Sequence, residues 1–96
     1  MPGRVIEIAY APVGAHTELA ASSAQTITTP TGARRLLIQA LSQNVRFTLD
    51  GTVPTATKGF QLKAGDPPVI IPVGPNVTVK VIQETATAEI EYQHLN

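Results

Sequence analysis

The chain has no cysteine and no tryptophan. The first absence excludes a disulfide framework and any thiolate metal site, and it is compatible with assembly in a reducing compartment. The second, with an aromatic content of 4%, predicts an aliphatic core. It also leaves few ring faces on which sugars or bases could stack. An excess of one charge is lacking too: seven Lys and Arg balance seven Asp and Glu, for a formal net charge of zero. General attraction to nucleic acid or to an anionic membrane is therefore not expected, and little self-repulsion opposes oligomers. No apolar run approaches the roughly 20 residues that span a bilayer. Residues 1–10, MPGRVIEIAY, hold no extended apolar segment or cleavage site and do not read as a signal peptide. A soluble protein is expected. At 96 residues it should be one domain, burying roughly 60 to 65% of the surface that its unfolded chain exposes.

What the chain does have is alternation. In residues 44–55, NVRFTLDGTVPT, Val45, Phe47 and Leu49 fall on one side of a strand and Arg46, Thr48 and Asp50 on the other. Asp50-Gly51 then supplies turn chemistry, and Pro54 discourages continuation as a central strand. Residues 4–10 alternate in the same way, with Ile6, Ile8 and Tyr10 opposed to Val5, Glu7 and Ala9, until Pro12 and Gly14 interrupt. Such a terminal strand either closes its own sheet or reaches a neighbour. Residues 25–28 suit a short strand, and Ser22-Ser23 weakens a possible helix over 18–24. Residues 34–41, RRLLIQAL, read as a strand buried on both faces that forms a hairpin with residues 45–49.

A loop over 52–58 precedes a short strand at 59–62 and a turn at 63–66. Pro67, Pro68 and Pro72 bracket Val69-Ile70-Ile71, which belongs at a sheet edge because proline cannot donate to a ladder. Last, Val77, Val79 and Val81 alternate with Thr78, Lys80 and Ile82, and Ala88, Ile90 and Tyr92 with Glu89, Glu91 and Gln93. These two runs are expected to pair as a hairpin around residues 84–87, with Lys80 facing a glutamate. About seven or eight short strands, with frequent Gly and Pro turns, predict an all-β, two-sheet β-sandwich, jelly-roll-like rather than immunoglobulin-like.

Chemistry is sparse. His16 and His94 lie in unlike contexts, neither at helix spacing to a partner ligand, so exposed or locally bonded imidazoles are expected and no metal is assigned. Glu89 and Glu91 share a strand face about 7 Å apart, a spacing that a solvated sheet face explains without a hydrolase pair. No nucleophile elbow and no phosphate-cradling loop occurs, and the chain reads as a non-enzyme with no cofactor. Arg34, Arg35 and Arg46 would cluster only if their strands paired. Asn76-Val77-Thr78 fits a glycosylation acceptor but requires a secretory route.

Two resemblances rest on these residues. FTLDGTVPT, residues 47–55, is similar to the aromatic-Thr-x-Asp-Gly-Thr-x-Pro-Thr signature of the small β-sandwich modules appended to chitobiase-like glycosidases. The succession RRLLIQAL, NVRFTLDGTVPTATKGF, AGDPPVIIPVG and VKVIQETATAEIEY, within residues 34–92, resembles small β-proteins of tailed bacteriophages, among them capsid decoration (cement) proteins. The second resemblance implies a virion structural protein, made in the host cytoplasm, that binds the outside of the assembled head. It would bridge major capsid protein subunits, commonly as a homo-oligomer and often a trimer. A head fibre or tail component is the related alternative. The edge-like segments would then supply capsid or subunit contacts: Arg4, Ile6, Ile8 and Tyr10 near the N-terminus, and Pro67, Pro68 and Pro72 further on.

Overall fold

A computed structural model describes residues 11–75 and 77–96. Its eight strands are β1 (Pro12–Ala20), β2 (Gln25–Ile27), β3 (Arg35–Ala40), β4 (Val45–Thr48), β5 (Phe60–Leu62), β6 (Val69–Pro72), β7 (Val79–Gln83) and β8 (Glu89–Leu95). No helix occurs among the described residues. Two antiparallel four-stranded sheets result, in the orders β1-β8-β3-β6 and β2-β7-β4-β5.

The pairing follows a nested rule. The first strand pairs with the last, the second with the second from last, β3 with β6 and β4 with β5. One long hairpin, its tip between β4 and β5, has in effect been rolled around a core, and the contacts of β3 with β8 and β4 with β7 complete the roll. This is the jelly-roll order that the strand pattern anticipates. Residues 21–24, 41–44, 63–68 and 84–88 each carry the chain from one sheet to the other. The four- and five-residue connections set β1 over β2, β3 over β4 and β8 over β7, and with these two strand orders β6 and β5 fall together at the remaining margin.

Period-two alternation builds the core between the sheets. Leu36, Ile38 and Ala40 of β3, Val45 and Phe47 of β4, Val79 and Val81 of β7 and Ile90 of β8 are all buried, joined by Ile27, Leu62 and Ile71. Each fully buried valine or isoleucine contributes roughly 1.5 to 3 kcal/mol, so the inward set dictates register, since a one-residue slip would expose all of it.

Two expected hairpins do not form. β3 and β4 lie in opposite sheets, as do β7 and β8. The turns at 41–44 and 84–88 are arches from one layer to the other, and an arch buries the same alternating residues as an in-plane hairpin. Lys80 therefore stands opposite Thr26 and Thr48, not Glu89 or Glu91. Nor is β3 buried on both faces: Arg35, Leu37 and Gln39 are only half-buried. The expected strand over residues 4–10 lies outside the described residues; β1 starts at Pro12, runs through Gly14 and has a register irregularity between Val13 and Thr17. As an edge strand β1 tolerates a proline at its first position. Residues 18–20 continue β1, so no helix begins there. Arg4, Ile6, Ile8, Tyr10 and Asn76 lie outside the described residues.

Candidate functional site

The motif at 47–55 builds a groove at one end of the sandwich. After β4, Leu49 accepts a hydrogen bond from the Thr78 amide at 3.0 Å, and Gly51 donates to the Thr78 carbonyl at 3.2 Å. These bonds hold the chain beside the start of β7. Gly51 has φ of +86°, a conformation that glycine adopts without steric penalty. The Thr52 amide donates to Asp50 Oδ1 at 3.0 Å, which closes the turn from its own side chain, while the Thr48 hydroxyl donates to the Thr52 carbonyl. Pro54 is fully buried and anchors the loop. Thr55 and Lys58 exchange backbone bonds of 3.0 and 3.1 Å, turning the chain back toward β5.

The result is an open groove of about 490 Å³ lined by Thr48, Leu49, Asp50, Thr52, Lys58, Gly59 and Phe60. Phe60 is 62% exposed, its ring 5.5 Å from that of Phe47 and tilted to it. Hydrogen bonds from Thr52, side chain before backbone, together with the Lys58 charge hold the Asp50 carboxyl below its ordinary range. The groove thus offers an apolar floor with one carboxylate and one ammonium at its lip. That set can dock a ligand and orient it.

The remaining candidates are placed separately. Arg46 donates to Glu84 and to the Gly59 carbonyl, the latter at 2.9 Å. Gln61 donates to the same Glu84 oxygen at 2.8 Å, and these bonds, Gln61 first, lower the Glu84 pKa. Arg46 is therefore a structural pin between β4 and the ends of β5 and β7. It lies in the sheet opposite Arg34 and Arg35, so the three arginines form no patch. Arg35 donates to the Asn96 carbonyl at 2.6 Å. His16 is exposed, with Nε2 3.3 Å from Glu91. His94 is buried at 4% exposure with Nε2 lacking a partner, and burial lowers its pKa. Among the described residues no three His, Asp or Glu side chains gather as a metal site would require.

A second feature lies along the side of the sandwich formed by β5 and β6. Among the described residues, Phe60, Val69 and Ile70 are three of the four exposed large hydrophobic side chains, at 62, 41 and 47%. Pro67, Pro68 and Pro72 are exposed beside them, so the expected proline cluster does sit at an edge. Sequence reasoning missed Phe60, whose alternation with Leu62 suggests an inward position. The signal was the brevity of the strand: β5 is three residues long at the margin of its sheet, too short to cover its first ring.

No family model, no curated protein and no solved structure matches the chain.

Proposed function

We propose that this chain is a capsid decoration protein, which binds the outer surface of an assembled bacteriophage head and stabilises it by bridging major capsid protein subunits. The observation that carries this reading is the apolar side formed by β5 and β6, where Phe60, Val69 and Ile70 stand exposed on a rigid two-layer scaffold. Large apolar side chains left exposed along one margin mark a candidate contact surface. The resemblance of residues 34–92 to small virion β-proteins supplies the partner. The physical logic is linkage: a protein that binds the closed shell and not its separated subunits stabilises the shell, by about 2.7 kcal/mol per site at a free concentration 100 times the Kd. The work is attachment, with no bond made or broken.

The test mixes purified chain with heads assembled without it, followed by pelleting and electron microscopy. Saturable binding at repeated outer positions is expected, together with a higher temperature of shell disruption. Heads that pellet bare at saturating protein would overturn the reading.

A second reading, an appended carbohydrate-binding module, draws on one specific observation. The exposed Phe60 ring beside Asp50 and Lys58 is the kind of platform on which one sugar ring packs while polar groups hold its hydroxyls. A glycan array discriminates: reproducible polysaccharide binding, with no affinity for heads, would replace the first reading.

A further inference from the structure

We propose that the first half of β1, residues 12–16, is an acid-released flap: a proton on His94 lifts it from β8 while residues 17–20 stay paired.

The imidazole lies beneath this stretch. His94 stands between Val13 of β1 and Leu36 of β3, and alternation puts it on the inner face of β8 with Ile90 and Tyr92. It is 4% exposed, and its Nε2 has no hydrogen-bond partner. The Tyr92 ring meets it nearly at a right angle, with centroids 5.7 Å apart. Beside the two rings is a cavity of about 230 Å³, between Gly14, Ala15 and Thr17 of β1 and Thr28 and Pro30 beyond β2. A Cβ on Gly14 would stand 3.7 Å from Pro30 Cγ, so the irregular stretch of β1 closes over the imidazole and rests on the turn that follows β2.

A neutral ring fits this place and a charged one does not. Glu89 and Glu91 alternate to the outer face of β8, where Glu18 stands opposite Glu91 and His16 Nε2 lies 3.3 Å from it. On β3, Arg35 stands opposite Leu95 and donates to the Asn96 carbonyl. On β7, Lys80 alternates away from the inward Val79 and Val81. Residues 28–30 carry no charge, and Tyr92 offers a ring rather than a carboxylate. Among the described residues none of these charges acts on His94, whose titration is governed by burial alone. A protonated imidazole gains a second N–H donor and a charge with nothing to receive either, and a buried charge without a partner is relieved by reaching water.

The two flanks of His94 differ in what such relief disrupts. β3 is regular through Leu36 and is held by β6 as well as β8. Among the described residues β1 pairs with β8 alone, and its register breaks between Val13 and Thr17. Gly14 has φ of +79° there. A side chain takes the place of part of the ladder: Gln93 Nε2 donates to the Val13 carbonyl at 3.3 Å and to the Gly14 carbonyl at 3.0 Å. Water can replace bonds of this kind at little net cost. From Thr17 onward the pairing with Tyr92, Glu91, Ile90 and Glu89 is regular, so Thr17 is the hinge. In neutral solution the leading end of the described chain is docked on β8, and in acid it swings free. The inference concerns the protein by itself and is independent of what the protein binds.

The test is hydrogen exchange of the full chain at pH 7.5 and 5.0, expressed as protection relative to the intrinsic exchange rate at each pH. The Asn96 amide, which donates to the Ala11 carbonyl, reports the flap, and the Ile90 amide reports the core. Asn96 protection is expected to fall by about 30-fold between the two pH values, the one-proton linkage for an imidazole that is neutral when covered and has an ordinary pKa when released. It should stay at least about 100-fold below that of Ile90 at both, as local opening requires. His94→Gln should abolish the fall. A second variant, Gln93→Ala, loosens the flap without touching the imidazole. It should raise the midpoint at which His94 takes up a proton, followed by imidazole NMR. Asn96 protection that does not change with pH, that changes equally in His94→Gln, or that equals Ile90 protection at pH 5.0 would overturn the proposal. So would a His94 midpoint unmoved by Gln93→Ala, or an imidazole still neutral at pH 4 in that variant, and this result decides even where His94→Gln folds poorly.

Discussion

Single residues separate what local sequence encodes from what packing adds. Asp50-Gly51 was readable as a turn because its geometry is local: one side chain bonds the amide two residues on, and glycine takes the positive φ. Gly59 carried no such signal, for its constraint comes from another strand. Its φ is +128°, and a Cβ there would stand 3.0 Å from the Phe47 carbonyl oxygen and 3.2 Å from the Phe47 nitrogen. Gly65, at φ +86°, has nothing within 4 Å. Gly65→Ala should therefore cost only backbone strain, about 1 kcal/mol, whereas Gly59→Ala adds a clash with fixed backbone and should cost about 2 to 4 kcal/mol. Urea denaturation of the two variants tests the difference, and equal midpoints would remove the close approach from the account. His94 makes a second prediction. Burial holds its imidazole neutral in the folded chain, while the unfolded chain takes up a proton near pH 6.5. Stability is then complete above about pH 7 and falls as pH drops below 6.5, by at most about 1.4 kcal/mol per pH unit for one proton. Asp50 and Glu84, whose pKa values are lowered from 3.8 and 4.5, lose their share only further down, as pH falls through those unfolded-chain values. His94→Leu should flatten the stability profile between pH 7 and 5; an unchanged slope would show that this imidazole charges freely in the fold.

At the scale of elements, strand existence and inward face were legible and strand partnership was not. Val45 and Phe47 alternate against Arg46, and Val79 and Val81 against Lys80, so each strand declares which side faces the core. Alternation is silent on whether the next strand lies beside it or across the core, because both arrangements bury the same side chains. Four- and five-residue connections serve either. Only the nested order distinguishes them, through pairs such as Pro12 with Leu95 that no local pattern can anticipate. The β6 margin was legible for a different reason, since Pro67, Pro68 and Pro72 state directly where a ladder cannot continue. The topology sets a hierarchy of local stability. Among the described residues, β8, β3, β7 and β4 are paired on both sides, whereas β1, β6, β2 and β5 are paired on one. In hydrogen exchange the amides of Leu36, Ile38, Val81 and Ile90 should open only with global unfolding, and those of β5 and β2 should exchange through local fraying. Protection of β5 equal to that of β7 in isolated monomer would contradict this order.

At the scale of the whole molecule, the roll brings both ends of the described chain to one corner, where Ala11 and Asn96 share two hydrogen bonds. On the proposed reading, attachment depends on the side formed by β5 and β6. A single sandwich presents few anchoring side chains there, and Phe60, at 62% exposure, is the largest of them. Truncating an aromatic anchor at the centre of a contact commonly costs about tenfold or more in affinity. Phe60→Asp should therefore weaken binding to bare heads by about that factor while circular dichroism stays β-rich, because an exposed ring leaves no buried cavity when it is removed. The measurement is a titration of bare heads with labelled protein, read as bound copies against free concentration. A variant with unaltered affinity would take the Phe60 ring out of the head contact.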